Sequence, residues 1–147
     1  MTQVSIFVGS VYGGAEELAF TLAEEIKSNN HQAQVFLPGT VNDVKNATHL
    51  LFVTSTTGAG DIPAELEALY LELTNQFPLL TDIPYGIITL GDSSYDDTFC
   101  GAGKKIDVLL QELQAKPCID KLEVDACEDF EPDKPALIWL ECFLKTL

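Results

Sequence analysis

Hydrophobic periodicity switches back and forth between the strand and helix repeats along this chain, and few folds accommodate that alternation. Near-continuous apolar runs at Val4, Ile6, Phe7 and Val8, at residues 50–53 and at residues 87–90 suit strands buried on both faces of a parallel sheet. Two stretches alternate more strictly, Ala33-Val35-Leu37 and Leu122-Val124 beyond Ile119, as strands at sheet edges do. Helical stripes lie between them. Ala15, Leu18, Ala19, Leu22, Ala23 and Ile26 recur at i, i+3, i+4 spacing and stop at Asn29-Asn30. Leu66, Leu69, Tyr70 and Leu73 follow start signals at Asp61 and Pro63. Ile106, Leu109, Leu110 and Leu113 form a third face, and Pro135 opens a last helix that turns Leu137, Leu140, Phe143 and Leu144 toward the sheet. Residues 40–45 are too short and polar to assign, which makes the second crossover the weakest part of the pattern.

Repeated strand–helix units with right-handed crossovers predict an α/β fold, a doubly wound five-stranded parallel sheet with helices on both faces. Central first, third and fourth strands and peripheral second and fifth strands require the order 2-1-3-4-5. Ligands on such sheets bind beyond the carboxyl ends of the strands at the topological switch point, here between strands 1 and 3. The 147 residues fit one domain, residues 1–147, with no linker, repeat or low-complexity tract.

Charge narrows the partners. Twenty-three acidic residues against eight basic ones leave a formal net charge of -15, a field that repels nucleic acid and anionic lipid and attracts basic protein surfaces. Solubility alone would also account for it. No apolar run approaches the roughly 20 residues of a membrane span. Met1-Thr2-Gln3 runs straight into a strand-like stretch with neither a basic region nor a cleavage site, so a cytoplasmic location is expected. Cys100, Cys118, Cys127 and Cys142 form no CxxC or CxxH pair and read as reduced, mostly packed thiols. His31 and His49 stand isolated in sequence and read as structural, and Trp139 is placed on the packing face of the last helix. No metal site is expected: the acidic run Asp125, Glu128, Asp129, Glu131 and Asp133 lacks the glycine and spacing of a calcium loop.

Three loops gather at the ligand edge. After strand 1 come Gly9, Ser10, Val11, Tyr12, Gly13, Gly14 and Ala15, leading into the first helix. Glycines there permit a tight turn that aims backbone N–H groups at one point, and the helix N-terminus adds partial positive charge, the requirements of a phosphate cradle. The loop is neither GxGxxG nor GxxxxGK, so a phosphate monoester held by neutral donors is the natural ligand. After strand 3 come Ser55, Thr56, Thr57, Gly58, Ala59, Gly60 and Asp61. After strand 4 come Leu90, Gly91, Asp92, Ser93, Ser94 and Tyr95, then Phe99, Cys100 and Gly101. Turn-forming residues alone would explain one such loop. Three at one edge, one with an aromatic face, fit a planar, phosphorylated, hydrogen-bonding ligand.

In IFVGSVYGGAEELA (6–19), VTSTTGAGDIP (53–63), YGIITLGDSSY (85–95) and FCGAGKK (99–105) the chain resembles the flavodoxin family, most closely its short-chain MioC-like and YqcA-like bacterial members. The resemblance covers essentially the whole chain and implies no insertion splitting strand 5. By it, residues 10–15 would hold the phosphate of FMN and Ser55, Thr56, Thr57, Gly58 and Ala59 would flank one side of the isoalloxazine. Leu90, Gly91, Asp92 and Tyr95 would line the other side, with Tyr95 stacked on the ring, and Phe99 and Cys100 would border the pyrimidine end. Tyr12 and Ala15 stand where the family usually has threonines, Thr57 where it often has an aromatic residue, and one extra residue separates Tyr95 from Phe99.

The resemblance implies a one-electron carrier, not an enzyme, expected as a monomer. It would take electrons from a flavodoxin/ferredoxin NADP reductase with a basic docking face and pass them to acceptor redox enzymes. A receiver domain of the same strand order is excluded, since Gly9-Ser10 and Ser55-Thr56 stand where it needs acidic residues. Two alternatives are an FMN-dependent NAD(P)H or quinone reductase, which would need a second nucleotide pocket, and a flavin-poor interaction protein using its acidic face.

Overall fold

The computed structural model describes residues 2–10, 13–37, 39–56, 61–91, 101–125 and 133–147. Among the described residues six strands and five helices follow one another, alternating as expected except that β5 is followed directly by β6. They are β1 (Gln3–Gly9), α1 (Gly14–Ser28), β2 (Gln32–Phe36), α2 (Val41–Lys45), β3 (Leu50–Ser55), α3 (Ala64–Gln76), β4 (Pro84–Gly91), α4 (Gly101–Glu112), β5 (Lys116–Pro117), β6 (Leu122–Asp125) and α5 (Asp133–Leu144). All the pairings are parallel, in the order β2-β1-β3-β4-β5, with β6 also on β4.

Alternation along each strand sends side chains to two cores. Phe7, Leu50, Phe52, Tyr85 and Ile87 face α2, α3 and α4, whereas Ile6, Val8, Leu51, Val53 and Ile88 face α1 and α5. Double-sided burial is why the sequences of β1, β3 and β4 read as continuous apolar runs. The stripe of α1 is buried as its spacing requires, at Ala15, Leu18, Ala19, Leu22, Ala23 and Ile26. Trp139 lies on the buried face of α5, stacked on Phe143 with ring centroids 5.3 Å apart.

Residues 40–45, unassigned from sequence, begin with a capped helical turn. The Asp43 N–H donates to Thr40 Oγ1 at 3.2 Å, and the Thr40 N–H donates to Asp43 Oδ2 at 2.9 Å. This reciprocal capping box starts α2, whose five residues are too few to show a period, and Val41 and Val44 anchor it in the core.

The fifth sheet position is made of two short segments. Lys116 and Pro117 pair with Pro84 and Tyr85, and the ladder resumes only where Leu122 faces Ile88. Residues 118–121 therefore bulge opposite Gly86 and Ile87. The bulge is held from both faces of the sheet: Trp139 Nε1–H donates to Asp120 O at 2.8 Å, and Lys121 Nζ lies 3.6 Å from Asp107 Oδ2. The cysteine expectation also needs correction. Cys118 is only half-buried and Cys142 is exposed, because it sits on the solvent side of α5.

Candidate functional site

Register brings the carboxyl ends of three strands side by side. Gly9 of β1 faces Thr54 of β3, and Ser55 of β3 faces Leu90 of β4. From β1 the chain leaves toward β2 and then returns across β1 to β3, so the switch point falls between β1 and β3, as expected. Ser55 Oγ donates to Gly9 O at 3.4 Å and ties the two ends together.

The loop after β1 supplies the donors. Gly13 caps α1 at φ 85°, a left-handed conformation that glycine adopts without a Cβ clash, and among the described residues no side chain caps the helix. The first helical bond runs from the Glu17 N–H to Gly13 O at 2.9 Å, so the amides before it lack intrahelical acceptors. Among the described residues, a Cβ built on Gly13 or Gly14 would meet nothing within 4 Å, which leaves room for a ligand against the backbone. Ser10 is buried, at 7% exposure, and its hydroxyl oxygen has no hydrogen-bond partner among the described residues. A buried polar atom left without a partner costs about 1–3 kcal/mol, which a ligand acceptor within hydrogen-bonding reach would recover. Ala15 also belongs to this loop, but its side chain is buried in the core, so it contributes its backbone only.

Of the other predicted site residues, Ser55, Thr56, Leu90 and Gly91 sit at the same edge. Thr56 Oγ1 accepts from the Ala102 N–H at 3.4 Å, joining the loop after β3 to the start of α4. Val11, Tyr12, Thr57, Gly58, Ala59, Asp92, Tyr95, Phe99 and Cys100 lie outside the described residues.

The fold also builds something that sequence reasoning missed. A recess of about 260 Å³ under the strand bulge is lined by Tyr85, Ile87, Asp107, Gln111, Lys121 and Glu123. Asp107 Oδ1 accepts from Tyr85 Oη–H at 2.6 Å and from Gln111 Nε2–H at 3.1 Å. Burial pushes the Tyr85 phenol far above its ordinary value, and the bond to Asp107 and that carboxylate's charge push it further the same way. The tyrosine is therefore a permanent neutral donor. This network satisfies itself and stands away from the three strand ends, so it supports the edge of the sheet. An Asp and a Gln four apart on α4 were the only trace of it in the sequence.

The two histidines are also closer than their sequence positions suggest. The Thr2 N–H donates to His31 Nδ1 at 3.3 Å, while His49 sits just before β3 with its Nδ1 buried and unpartnered among the described residues. Burial lowers the His49 pKa, and the nearby His31 lowers it further. Both rings lie at the amino ends of the strands, opposite the candidate site.

A family model described as Flavodoxin matches residues 6–139. The chain belongs to the flavodoxin family. It is 40% identical to Flavodoxin YqcA of Pectobacterium carotovorum subsp. carotovorum over 146 residues, covering 97% of this chain and 95% of that one. It is 33% identical to Protein MioC of Escherichia coli K12, covering 100% and 99% of the two chains. A solved cysteine-to-serine mutant of a flavodoxin from Pseudomonas aeruginosa superposes with a TM-score of 0.93 at 37% identity, covering 99% of this chain and 98% of that one. As a flavodoxin, this protein is an FMN-binding electron carrier. Its own geometry fits that cofactor, since the buried Ser10 hydroxyl and the uncapped start of α1 present neutral donors where a terminal phosphate needs them.

Proposed function

We infer that residues 10–15 hold the phosphate of FMN in this flavodoxin. We infer also that one domain spanning residues 1–147 works as a cytoplasmic monomer, carrying single electrons from a basic-faced flavodoxin/ferredoxin NADP reductase to acceptor enzymes. The observation that carries the reading is the unpartnered Ser10 hydroxyl beside open glycine backbone at the start of α1. FMN supplies the one-electron redox chemistry when bound. The chain supplies the setting: Ser10 and the amides of Gly13 and Gly14 bind the phosphate, and Ser55 and Thr56 flank one side of the ring system. Leu90 and Gly91 end β4 at its other side, to which the resemblance also assigns Asp92 and Tyr95.

The net charge of -15 supports a basic partner, because like-charged surfaces would be excluded and a basic one steered in. Asp61, one of the acidic residues near this edge, is paired with Lys105 at 3.4 Å; Asp92, Asp96 and Asp97, outside the described residues, are further candidates for docking charge from their place in the sequence. Among the described residues no helix is long and apolar enough to cross a membrane.

Absorption spectra of the purified protein, followed by titration of the flavin-free form with FMN and riboflavin, test the reading. FMN should bind far more tightly than riboflavin. Equal affinities would remove the phosphate cradle, and NADPH oxidation without added reductase would favour the reductase alternative.

A further inference from the structure

The carboxyl end of β1 has no room for a side chain. A Cβ built on Gly9 would lie 2.8 Å from Leu66 Cβ on α3 and 2.9 Å from Thr54 Oγ1 on β3. Neither atom is free to swing aside. Leu66 Cβ is carried by the helix backbone, and its side chain is buried in the core. Thr54 is fully buried beside Gly9 in the parallel ladder, with its hydroxyl donated to Ser55 O at 2.8 Å. The Gly9 carbonyl is held as well, since Ser55 Oγ donates to it at 3.4 Å. The last residue of β1 is thus gripped by α3 and β3 together. Next in the chain is Ser10, whose buried hydroxyl has no partner among the described residues.

We propose that Gly9 is a positioning residue: its missing side chain lets α3 and β3 close on the end of β1 and so aims the Ser10 hydroxyl at the flavin phosphate. The inference deepens the phosphate reading above and rests on it for the ligand, while the close approach of α3 to Gly9 stands without it. A larger residue at position 9 would overpack the contact, and a close-packed interior answers overpacking with a backbone shift. The end of β1 is the part that yields. Among the described residues its pairing with β2 stops at Phe7, so Gly9 pairs only with Thr54, whereas Thr54 is also paired with Thr89 on β4. Any such shift carries Ser10, one peptide bond away. A hydroxyl hydrogen bond weakens once the oxygens separate beyond about 3.0 Å or lose alignment, so a small displacement is enough to cost it.

The test titrates the flavin-free parent, Gly9→Ala, Ser10→Ala and the double variant with FMN and with riboflavin. Gly86→Ala is the control, because its Cβ would lie 2.6 Å from the Trp139 ring and crowds the opposite core near the amino end of β4. Gly9→Ala should raise the FMN dissociation constant about tenfold, the scale of a hydrogen bond to a charged acceptor, and the riboflavin constant less than about twofold. The double variant should bind FMN no more than about twofold more weakly than Ser10→Ala alone, since residues acting through one contact are not additive. Gly86→Ala should lower the melting temperature and keep the parent's preference for FMN over riboflavin. Equal weakening of both ligands by Gly9→Ala, additive losses in the double variant, or parent affinity throughout overturns the proposal. If Gly9→Ala does not fold, Ser55→Ala decides, because it frees the Gly9 carbonyl without adding bulk: a loss confined to FMN supports the proposal, and an equal loss of riboflavin overturns it. Hydrogen–deuterium exchange without ligand reads the contact itself, and amides 8–10 should exchange faster in Gly9→Ala than in Gly86→Ala. A parent that binds FMN and riboflavin equally removes the phosphate reading; the faster exchange then leaves the contact standing, and unchanged exchange overturns it too.

Discussion

Ser10 carries opposite consequences for binding and for stability. Among the described residues its hydroxyl is buried and unpartnered, so Ser10→Ala should leave the melting temperature measured without flavin unchanged or higher. The same change removes a donor to a charged phosphate and should weaken FMN by about 1–3 kcal/mol, with riboflavin affinity unaltered. Isothermal titration of both ligands checks this. Tyr95 lies four residues beyond the end of β4, and the resemblance stacks it on the flavin. Tyr95→Ala should weaken FMN, brighten residual flavin fluorescence and raise the potential of the second electron, because a stacked ring disfavours an electron-rich flavin. Stacking is worth about 0.5–1.5 kcal/mol beyond burial, and Tyr95→Phe should change little because the ring face matters more than the hydroxyl. At the other end of the sheet, His49 predicts the acid response. Its pKa is lowered from 6.5 in the folded chain, so the folded state binds that proton less readily than the unfolded state does. Its contribution to stability is therefore complete above pH 6.5 and is lost as pH falls through 6.5 toward the lower folded value. Protonation would also bury a second ring N–H without an acceptor. Denaturant titrations between about pH 7 and about pH 5 should show a shallower loss of stability in His49→Gln than in the parent.

At the scale of elements, the second crossover depends on its cap. Five residues cannot sustain a helix by propensity, so α2 rests on the Thr40–Asp43 capping box and on Val41 and Val44 in the core. Thr40→Ala should cost about 1 kcal/mol in chemical denaturation. FMN affinity should not change, since α2 belongs to none of the three loops assigned to the site. The strand-five bulge is a different kind of element. Interrupting an edge ladder would leave backbone groups exposed to pairing with another chain. Here Cys118 N–H bonds Tyr85 O at 3.1 Å, and α4 and α5 grip the bulge from either face.

For the whole molecule, charge is the dominant field. All eight basic residues are lysines, and among the described residues Lys27, Lys104, Lys105 and Lys121 lie in ion pairs with Glu24, Glu123, Asp61 and Asp107. The surplus of acidic residues opposes adding an electron to a bound flavin. At ~10 Å and an effective dielectric of ~20, one acidic charge costs ~1.7 kcal/mol before salt screens it. Potentials of bound FMN should therefore rise with ionic strength, as measured by spectroelectrochemistry. Reduction by a basic-faced reductase should slow over the same range as steering is lost. A salt-independent potential would show that local contacts, not the global field, set it.

Much of this was legible in the chain itself, and the reason is periodicity. Burial on two faces forces β1, β3 and β4 to be apolar throughout, and burial on one face gives α1 its stripe, so layer, order and ligand edge could be read in advance. The glycines after β1 likewise announced the tight turn into α1, because a left-handed residue there leaves few other choices. Tertiary structure decided the features that depend on distant residues meeting. Nothing local marks Ser10 as unpartnered, since satisfaction of a hydroxyl is a property of everything around it. His31 and His49 became neighbours only because β1 brings the chain before β2 close to the chain before β3. The bulge at residues 118–121 needed Trp139 and Asp107 from opposite faces of the sheet, and the contacts of Ala102 with Thr56 and of Lys105 with Asp61 needed elements far apart in the chain. Sequence periodicity reports which face of an element is buried, whereas polar pairing between elements exists only once they are packed.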